Sequence, residues 1–193
     1  MKLERRFVPR QKCEVRAAGD TRKIVGHAAV FDTVLDTGWG FTETIARGAF
    51  AESIENDDVR ALWNHDPNHV LGRNTARTLS LSEDEVGLLY EIDPPDTSLA
   101  RDLEALIERG DVTGSSFGFI TESENWTNDG DQVHRTILKA KLFDVGPVTF
   151  PAYVETDVAM RARELGLHVP TPPVEMVTGE IEILRERFRL EEH

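Results

Sequence analysis

Alternating apolar and polar positions predict a chain built mainly of short strands. Turn-forming residues separate several of these runs, including AGDT at 18–21, SEDE at 82–85 and NDGD at 128–131, and so favour hairpins between neighbouring strands. His65 closes one run and is followed by Asp66-Pro67-Asn68, which also favours a turn. Strands are predicted at 12–17, 23–31, 59–65, 78–81, 86–92, 114–121 and 134–146.

Two stretches have helical spacing instead. The first covers 45–56, and the second runs from the Thr97-Ser98 pair to Arg109, with Gly110 placed where a helix usually ends. Many short strands with two inserted helices predict a mainly β, α+β fold, namely a closed or nearly closed β-barrel with helices around it.

The character of the chain changes near its C-terminus. A proline-rich stretch at 169–175 precedes a charged, helix-like pattern at 180–190. We therefore predict a barrel domain over 1–160 and a proline-interrupted helical tail over 161–193 that the barrel does not need.

Composition narrows the functional classes. The 193-residue chain has one cysteine, Cys13, so it can form neither an internal disulfide framework nor a Cys-based zinc site. The lack of disulfides favours a reducing compartment. We find no apolar run long enough for a bilayer and no export signal, so no membrane partner is predicted.

Charge is spread unevenly along the chain. Residues 1–23 carry eight Lys or Arg and three Asp or Glu, a net charge of +5, whereas the rest brings the total to −13. An acidic body argues against nucleic-acid binding, since phosphate attraction supplies most of such affinity. The basic arm is interpreted as an edge strand with its cations in water, and docking on an acidic partner is the alternative.

The segment GSSFGF at 114–119 raises the question of a nucleophile. In a strand, Ser115 shares a face with Phe117 and Phe119, which favours the core, whereas Ser116 shares the opposite and more open face with Gly118. The missing side chain of Gly118 would let a substrate backbone approach. Ser116 is therefore the preferred nucleophile, although a serine in a strand is more often structural.

A base and an acid are also available. His65 precedes a turn, where catalytic side chains are common, and a neutral imidazole takes a serine proton near neutral pH. Asp144, in the apolar segment LFDV, could orient that imidazole, and His134 is the competing third member. The structural alternatives are a surface histidine at a turn and a carboxylate bonded to a neighbouring loop.

The HDPNH segment at 65–69 suggests a metal alternative. His65 and His69 are four residues apart, as in zinc-binding helices, but Pro67 favours a turn and no third ligand is evident. We find no phosphate-binding loop or dinucleotide fingerprint, and we predict no cofactor.

A resemblance emerges from the order of the motifs rather than from any single one. The ordered series, over about residues 24–160, resembles the prohead proteases of tailed bacteriophages, the capsid-maturation serine peptidases, which are similar in fold to the barrel-shaped herpesvirus assemblins. The segments are GHAAVFD (26–32), ETIARGAFAES (43–53), ALWNHDPNHVLGR (61–73), GLLYEID (87–93), GDVTGSSFGF (110–119) and LFDVGPVTFPAY (142–153).

The resemblance implies roles for individual residues. The family's histidine matches His65 and its serine matches Ser116. The acid usually opens an E-V-S segment, which here is Asp144-Val145-Gly146. Asp144 is shorter than the family's glutamate by one methylene, and Gly146 replaces the family's serine. These differences leave His134 as the alternative third member, because assemblins use a second histidine.

The resemblance also implies a function. It is that of a serine endopeptidase that cleaves the major capsid protein and its scaffold segment inside the assembling prohead, in the bacterial host cytoplasm. Self-cleavage within 170–193 and a homodimer are further implications. The alternatives are a capsid-assembly binding module that has lost catalysis and a metal-dependent hydrolase built on His65 and His69.

Overall fold

The computed structural model describes residues 3–7, 13–18, 21–37, 40–129 and 132–150. This part is mainly β with few helices, as predicted, while the predicted domain end at 160 and the tail lie outside the described residues. The elements are β1 (Glu4–Phe7), β2 (Glu14–Ala18), β3 (Thr21–Val30), β4 (Leu35–Asp36), β5 (Phe41–Ile45), α1 (Ala51–Asn56), β6 (Arg60–Leu62), β7 (Val70–Arg73), a 3₁₀ turn (Asn74–Ala76), β8 (Leu79–Glu83), β9 (Gly87–Ile92), α2 (Ser98–Arg109), β10 (Gly114–Asp129) and β11 (Gln132–Val148).

The larger sheet is organised around two long strands. β10 and β11 pair antiparallel along their whole length, from Gly114 opposite Val148 to Asp129 opposite Gln132. The sheet order is β1-β10-β11-β5-β4, and β6 joins β11 in parallel beyond β5 and carries β7 on its other side. The pairing of β6 with β11 brings the loop that follows β6 beside the C-terminal end of β11, a central strand of the sheet.

The smaller sheet has the antiparallel order β2-β3-β9-β8. Its two hairpins, β2–β3 and β8–β9, confirm the hairpins predicted from turn residues. Within the described residues neither sheet closes on itself, so the barrel stays a prediction. Neither described helix combines the length and the apolar character needed to span a bilayer.

The core contains side chains from both sheets and both helices. Phe117 stacks on Phe119 with ring centroids 4.8 Å apart, and Phe50 meets Phe117 edge-on at 5.5 Å. These rings fill the face of β10 that the strand periodicity assigned to the core. The core therefore fixes which side of β10 is left for Ser116.

Several element boundaries differ from the prediction. The helix predicted over 45–56 begins only at Ala51, because Ile45 ends β5 and is buried. The strand predicted over 59–65 ends at Leu62, and β10 and β11 are each longer than predicted. α2 agrees with the prediction: the Thr97 hydroxyl accepts from the amide of Ala100, and Gly110 ends the helix with φ of 84°.

The interpretation of the basic arm as solvated is wrong for β1. Arg6 is only 3% exposed, and its guanidinium donates to both oxygens of Glu43, at 2.6 and 2.9 Å. Arg135, which is fully buried, joins the cluster by donating to Glu4, Glu43 and Glu124. Charged residues enter this interior because each one is paired. These five residues, the buried charge cluster, attach β1 to the larger sheet.

Candidate active site

The pairing of β10 with β11 places the predicted nucleophile and acid on one face. Ser116 lies opposite Gly146, and Gly118 lies opposite Asp144, so the Ser116 and Asp144 side chains are diagonal neighbours across the two strands. Ser115 points the other way, into the core, as predicted, where its hydroxyl lies 2.8 Å from that of Tyr90.

Two details of the serine face differ from the prediction. Ser116 is fully buried rather than open to solvent. The space beside Gly118 holds the Asp144 carboxylate rather than an approaching backbone, since a Cβ at position 118 would lie 2.4 Å from Asp144 Oδ2. Strand periodicity identifies the face of a side chain but not what covers that face.

His65 is presented by a tight turn rather than by a strand end. The amide of Asp66 donates to the carbonyl of Trp63 at 3.1 Å, and the two central residues, Asn64 and His65, have φ of 56° and 57°. Positive φ is uncommon for residues other than glycine and is tolerated best by asparagine. The turn is attached to β11 because the amide of Asn64 donates to the carbonyl of Pro147 at 3.0 Å.

The turn brings the imidazole between the other two side chains. His65 Nε2 lies 2.7 Å from Ser116 Oγ, and Nδ1 is hydrogen-bonded directly to Asp144 Oδ1. The His65 and Asp144 side chains are only 7% and 9% exposed. Low exposure strengthens the electrostatic coupling between such groups.

The contacts of His65 define a tautomer. A carboxylate accepts only, so His65 Nδ1 carries a proton and donates it to Asp144. When the imidazole is neutral, Nε2 then has a free lone pair directed at the Ser116 hydroxyl. This is the arrangement in which an imidazole can accept a serine proton.

Ser116 has a second partner that the sequence did not reveal. Its hydroxyl donates to the main-chain carbonyl of Arg6 at 2.7 Å, because β1 pairs with β10 and places Phe7 opposite Ser116. A hydroxyl has one proton, so this carbonyl competes with neutral His65 for it. With a protonated imidazole, both hydrogen bonds form together.

The structure does not bring His134 into this site. His134 lies opposite Thr127 in the pairing of β10 with β11, and its Nδ1 lies 2.8 Å from the Thr42 hydroxyl oxygen. It is ten residues from Asp144 along β11, roughly 30 Å of extended strand.

The histidine pair of the metal alternative is occupied by other contacts. Both ring nitrogens of His65 face Asp144 and Ser116, while His69 packs against Trp63 and its Nδ1 lies 3.6 Å from Asp66. Among the described residues, no group of three or more His, Cys, Asp and Glu is arranged to hold a metal ion.

The altered acidic segment has a structural reason. A Cβ at Gly146 would lie 2.2 Å from the carbonyl oxygen of Leu62, so the close approach of β6 to β11 requires glycine there. Asp144 reaches His65 despite its shorter side chain. The two departures from the family's acidic segment are therefore compatible with the contact between Asp144 and His65. They no longer support the alternative of a binding module without catalysis.

Comparison with known protein families gives a match over most of the chain. A protein-family model described as caudovirus prohead serine protease matches residues 11–169 of this chain. No curated protein and no solved structure gives a significant match. The family match spans β2 to β11 and contains all three residues that meet at the His65 turn.

Proposed function

The chain belongs to the caudovirus prohead serine protease family, and on that premise we propose that Ser116 is its nucleophile, His65 its general base and Asp144 the carboxylate that orients the base. The family assigns a serine-type endopeptidase that acts in capsid maturation. The observation that carries the proposed roles is the position of the His65 ring, hydrogen-bonded to Ser116 on one side and to Asp144 on the other.

The proposed mechanism is acyl transfer. Ser116 Oγ attacks a peptide carbonyl while His65 Nε2 takes the hydroxyl proton, and Asp144 stabilises the imidazolium that forms. Collapse of the tetrahedral intermediate breaks the peptide C–N bond, and His65 gives the proton to the leaving amine. Water then enters, loses a proton to His65 and attacks the acyl ester, which releases the acid and restores Ser116.

The proposed substrates are the major capsid protein and its scaffold segment, cut inside the assembling shell in the bacterial host cytoplasm. Hydrolysis is irreversible there, so cleavage can act as a one-way step between shell states. We extend the proposal to self-cleavage within residues 170–193, to a homodimer, and to a β-barrel of the herpesvirus-protease type over residues 1–160.

Two neighbouring serines provide a matched test. Ser116→Ala removes the nucleophile and should reduce cleavage of the capsid protein on co-expression by on the order of 10⁶-fold, to background. Ser115→Ala alters the same strand on its opposite face and should keep cleavage, with only a modest loss of stability from the Tyr90 hydrogen bond. Equal processing by wild type and Ser116→Ala would remove the serine mechanism.

The third role has its own matched pair. Asp144→Asn keeps the shape of the side chain but favours the wrong imidazole tautomer, so kcat should fall by about 10⁴-fold. His134→Ala, distant from Ser116, should keep kcat within about twofold, as expected of a residue that contacts none of the reacting groups. The reverse ranking would assign the third role to His134.

A further inference from the structure

The buried state of Ser116 conflicts with the need of a protease to admit a peptide. Ser116 is fully buried, and besides His65 its hydroxyl contacts the carbonyl of Arg6 in β1. A peptide carbonyl that is to be attacked has to reach the place that this carbonyl holds. Either β1 leaves or the serine stays inaccessible.

From this conflict we propose that β1 occupies the substrate cleft, and that a peptide replaces it as the strand beside β10 with a lysine or arginine side chain on Glu43. The inference rests on the proposed function of Ser116 and adds to it a substrate class and a binding mode. β1 then has a second role, as an internal occupant that holds the enzyme closed.

The sheet order makes such a replacement feasible. β1 is the edge strand of the larger sheet and is paired through only four residues, from Glu4 opposite Phe119 to Phe7 opposite Ser116. A departing β1 leaves the backbone groups of β10 open, and an extended peptide can pair with such an edge in its place. Exchanging one strand for another preserves the number of main-chain hydrogen bonds.

The Arg6 side chain indicates what the cleft accepts. The Arg6 carbonyl faces Ser116, so a substrate residue in the same place would supply the carbonyl of the bond to be cut, the P1 position. The Arg6 guanidinium donates to both oxygens of the fully buried Glu43 and lies 5.5 Å above the Phe119 ring. A paired carboxylate and an aromatic face are the groups that bind a guanidinium well.

The charge left behind points to the same class of substrate. β1 contributes one acid and one base to the buried charge cluster, Glu4 and Arg6. When β1 leaves, Glu43 loses the two hydrogen bonds that it accepts from Arg6 and keeps the one from Arg135. An apolar or acidic side chain in the place of Arg6 would leave the buried Glu43 carboxylate without this cation, whereas lysine or arginine restores it.

A reversible crosslink of the full chain tests whether β1 must leave. Continuing the β1–β10 register by one step places Leu3 opposite Ile120. The double variant Leu3→Cys/Ile120→Cys would join the strands on oxidation, and the buried Cys13, whose pKa burial raises to about 11, would react slowly. The readout is the rate at which a fluorophosphonate probe labels Ser116.

We expect the oxidised double variant to be labelled at least about tenfold more slowly than the same protein after reduction, because only the open fraction reacts. The single variants should respond little to reductant. Equal labelling with the crosslink verified by mass spectrometry would overturn the inference. Absence of labelling in wild type and in every variant would instead contradict the proposed nucleophile.

A peptide pair tests the assigned side chain. Two peptides that differ only by lysine or norleucine at P1 have similar shape but differ in charge. We expect kcat/KM to favour lysine by at least about tenfold in wild type, the size expected for a buried charge contact. In Glu43→Gln the ratio should fall towards one, and in Glu43→Asp, which keeps the charge, it should stay high.

The ratio is measured within one protein, so a partly unfolded variant does not distort it. Equal cleavage of the two peptides by wild type, or a lysine preference that survives in Glu43→Gln, would overturn the assignment of Glu43. Either result would leave the roles of Ser116 and His65 intact, since both peptides would still be cleaved.

Discussion

At the scale of single residues, the site depends on a glycine, Gly118, which has no side chain that could take part in the reaction. The Asp144 carboxylate fills the space that Gly118 leaves on the neighbouring strand. From there it bonds to His65 Nδ1, which leaves Nε2 to face Ser116. Gly118 is therefore a positioning residue, acting on the imidazole through Asp144.

Gly118→Ala should lower kcat through this contact. The added Cβ would lie 2.4 Å from Asp144 Oδ2, so the carboxylate has to move and its bond to His65 weakens. We expect kcat to fall by about 10²-fold if the Asp144 carboxylate is only displaced, and by up to about 10⁴-fold if its bond to His65 is lost. The measurement is peptide hydrolysis under saturating substrate, with circular dichroism to verify folding.

A double-mutant cycle distinguishes this cause from general damage. If Gly118→Ala acts only through Asp144, adding it to Asp144→Asn should lower kcat little further, because both changes remove the same interaction. Losses that multiply in the double variant would show that Gly118 acts by another route.

The sequence predicted the three side chains that meet at the His65 turn, but it did not predict the groups that surround them. Alternation along GSSFGF separates Ser115 from Ser116, since the two phenylalanines identify the core face. The same alternation contains no information on the Arg6 carbonyl, which comes from a strand 110 residues away in the chain. The role of Gly118 was missed for a similar reason, because it depends on the side chain opposite.

At the scale of elements, the buried charge cluster ties β1 to strands of the larger sheet other than its neighbour β10. Burial raises the pKa of Glu4, but the hydrogen bond and charge of Arg135, with the charge of Arg6, outweigh it and leave that pKa below the ordinary value of 4.5. The carboxylates of the cluster in turn raise the pKa of Arg135 despite its burial. β1 thus docks most firmly when Glu4 is ionised.

The lowered pKa of Glu4 predicts a stability that depends on acid pH. A group whose pKa is lower in the folded state stabilises the fold above its unfolded pKa, near 4.5, and this contribution is lost as pH falls through the folded pKa. We expect the free energy of unfolding to fall below about pH 4.5 in wild type, and to fall less steeply in Glu4→Gln. Urea unfolding between pH 3 and 6, monitored by tryptophan fluorescence, measures both slopes.

An exposed glutamate provides the control for this experiment. Glu14 pairs with Arg16 on β2, but both side chains are more than half exposed, at 53% and 58%. Exposed pairs contribute little, so Glu14→Gln should keep the wild-type slope. A Glu4→Gln slope equal to that of wild type would mean that the buried charge cluster does not hold β1 through Glu4.

Elements joined by short turns were predictable, and those joined by distant pairing were not. The hairpins β2–β3 and β8–β9 follow from local turn residues. β5 was missed because its inward positions include Glu43, and a buried charge looks like a surface residue in sequence. That charge is tolerated only because Arg6 and Arg135 come from other strands.

At the scale of the whole molecule, the two sheets share one core while the site lies on the larger sheet. The hydroxyl and the carboxylate come from β10 and β11, and the imidazole from the turn after β6, which β11 also holds. The charge asymmetry of the sequence also has a partial explanation, because Arg6 of the basic arm is buried among carboxylates. The mainly β class was predictable, whereas the number of sheets was not, since it depends on pairings between strands far apart in sequence.

The extent of the family match leads to a prediction about residues 170–193 at the end of the chain. The family match ends at residue 169, and the described strands that carry the site end at Val148. The match does not include residues 170–193, and we propose from their prolines and charged pattern that this segment is not needed by the catalytic unit. A chain that stops after residue 169 should keep the wild-type kcat/KM on a peptide and a similar melting temperature.

Intact mass spectrometry then addresses self-cleavage in the full chain. Loss of part of 170–193 in wild type but not in Ser116→Ala would mean that this segment is a substrate of the same serine. Equal masses, together with an unchanged kcat/KM after deletion, would make the segment neither a substrate nor a part of the catalytic unit. A large loss of kcat/KM on deletion would contradict the proposal that the catalytic unit does not need residues 170–193.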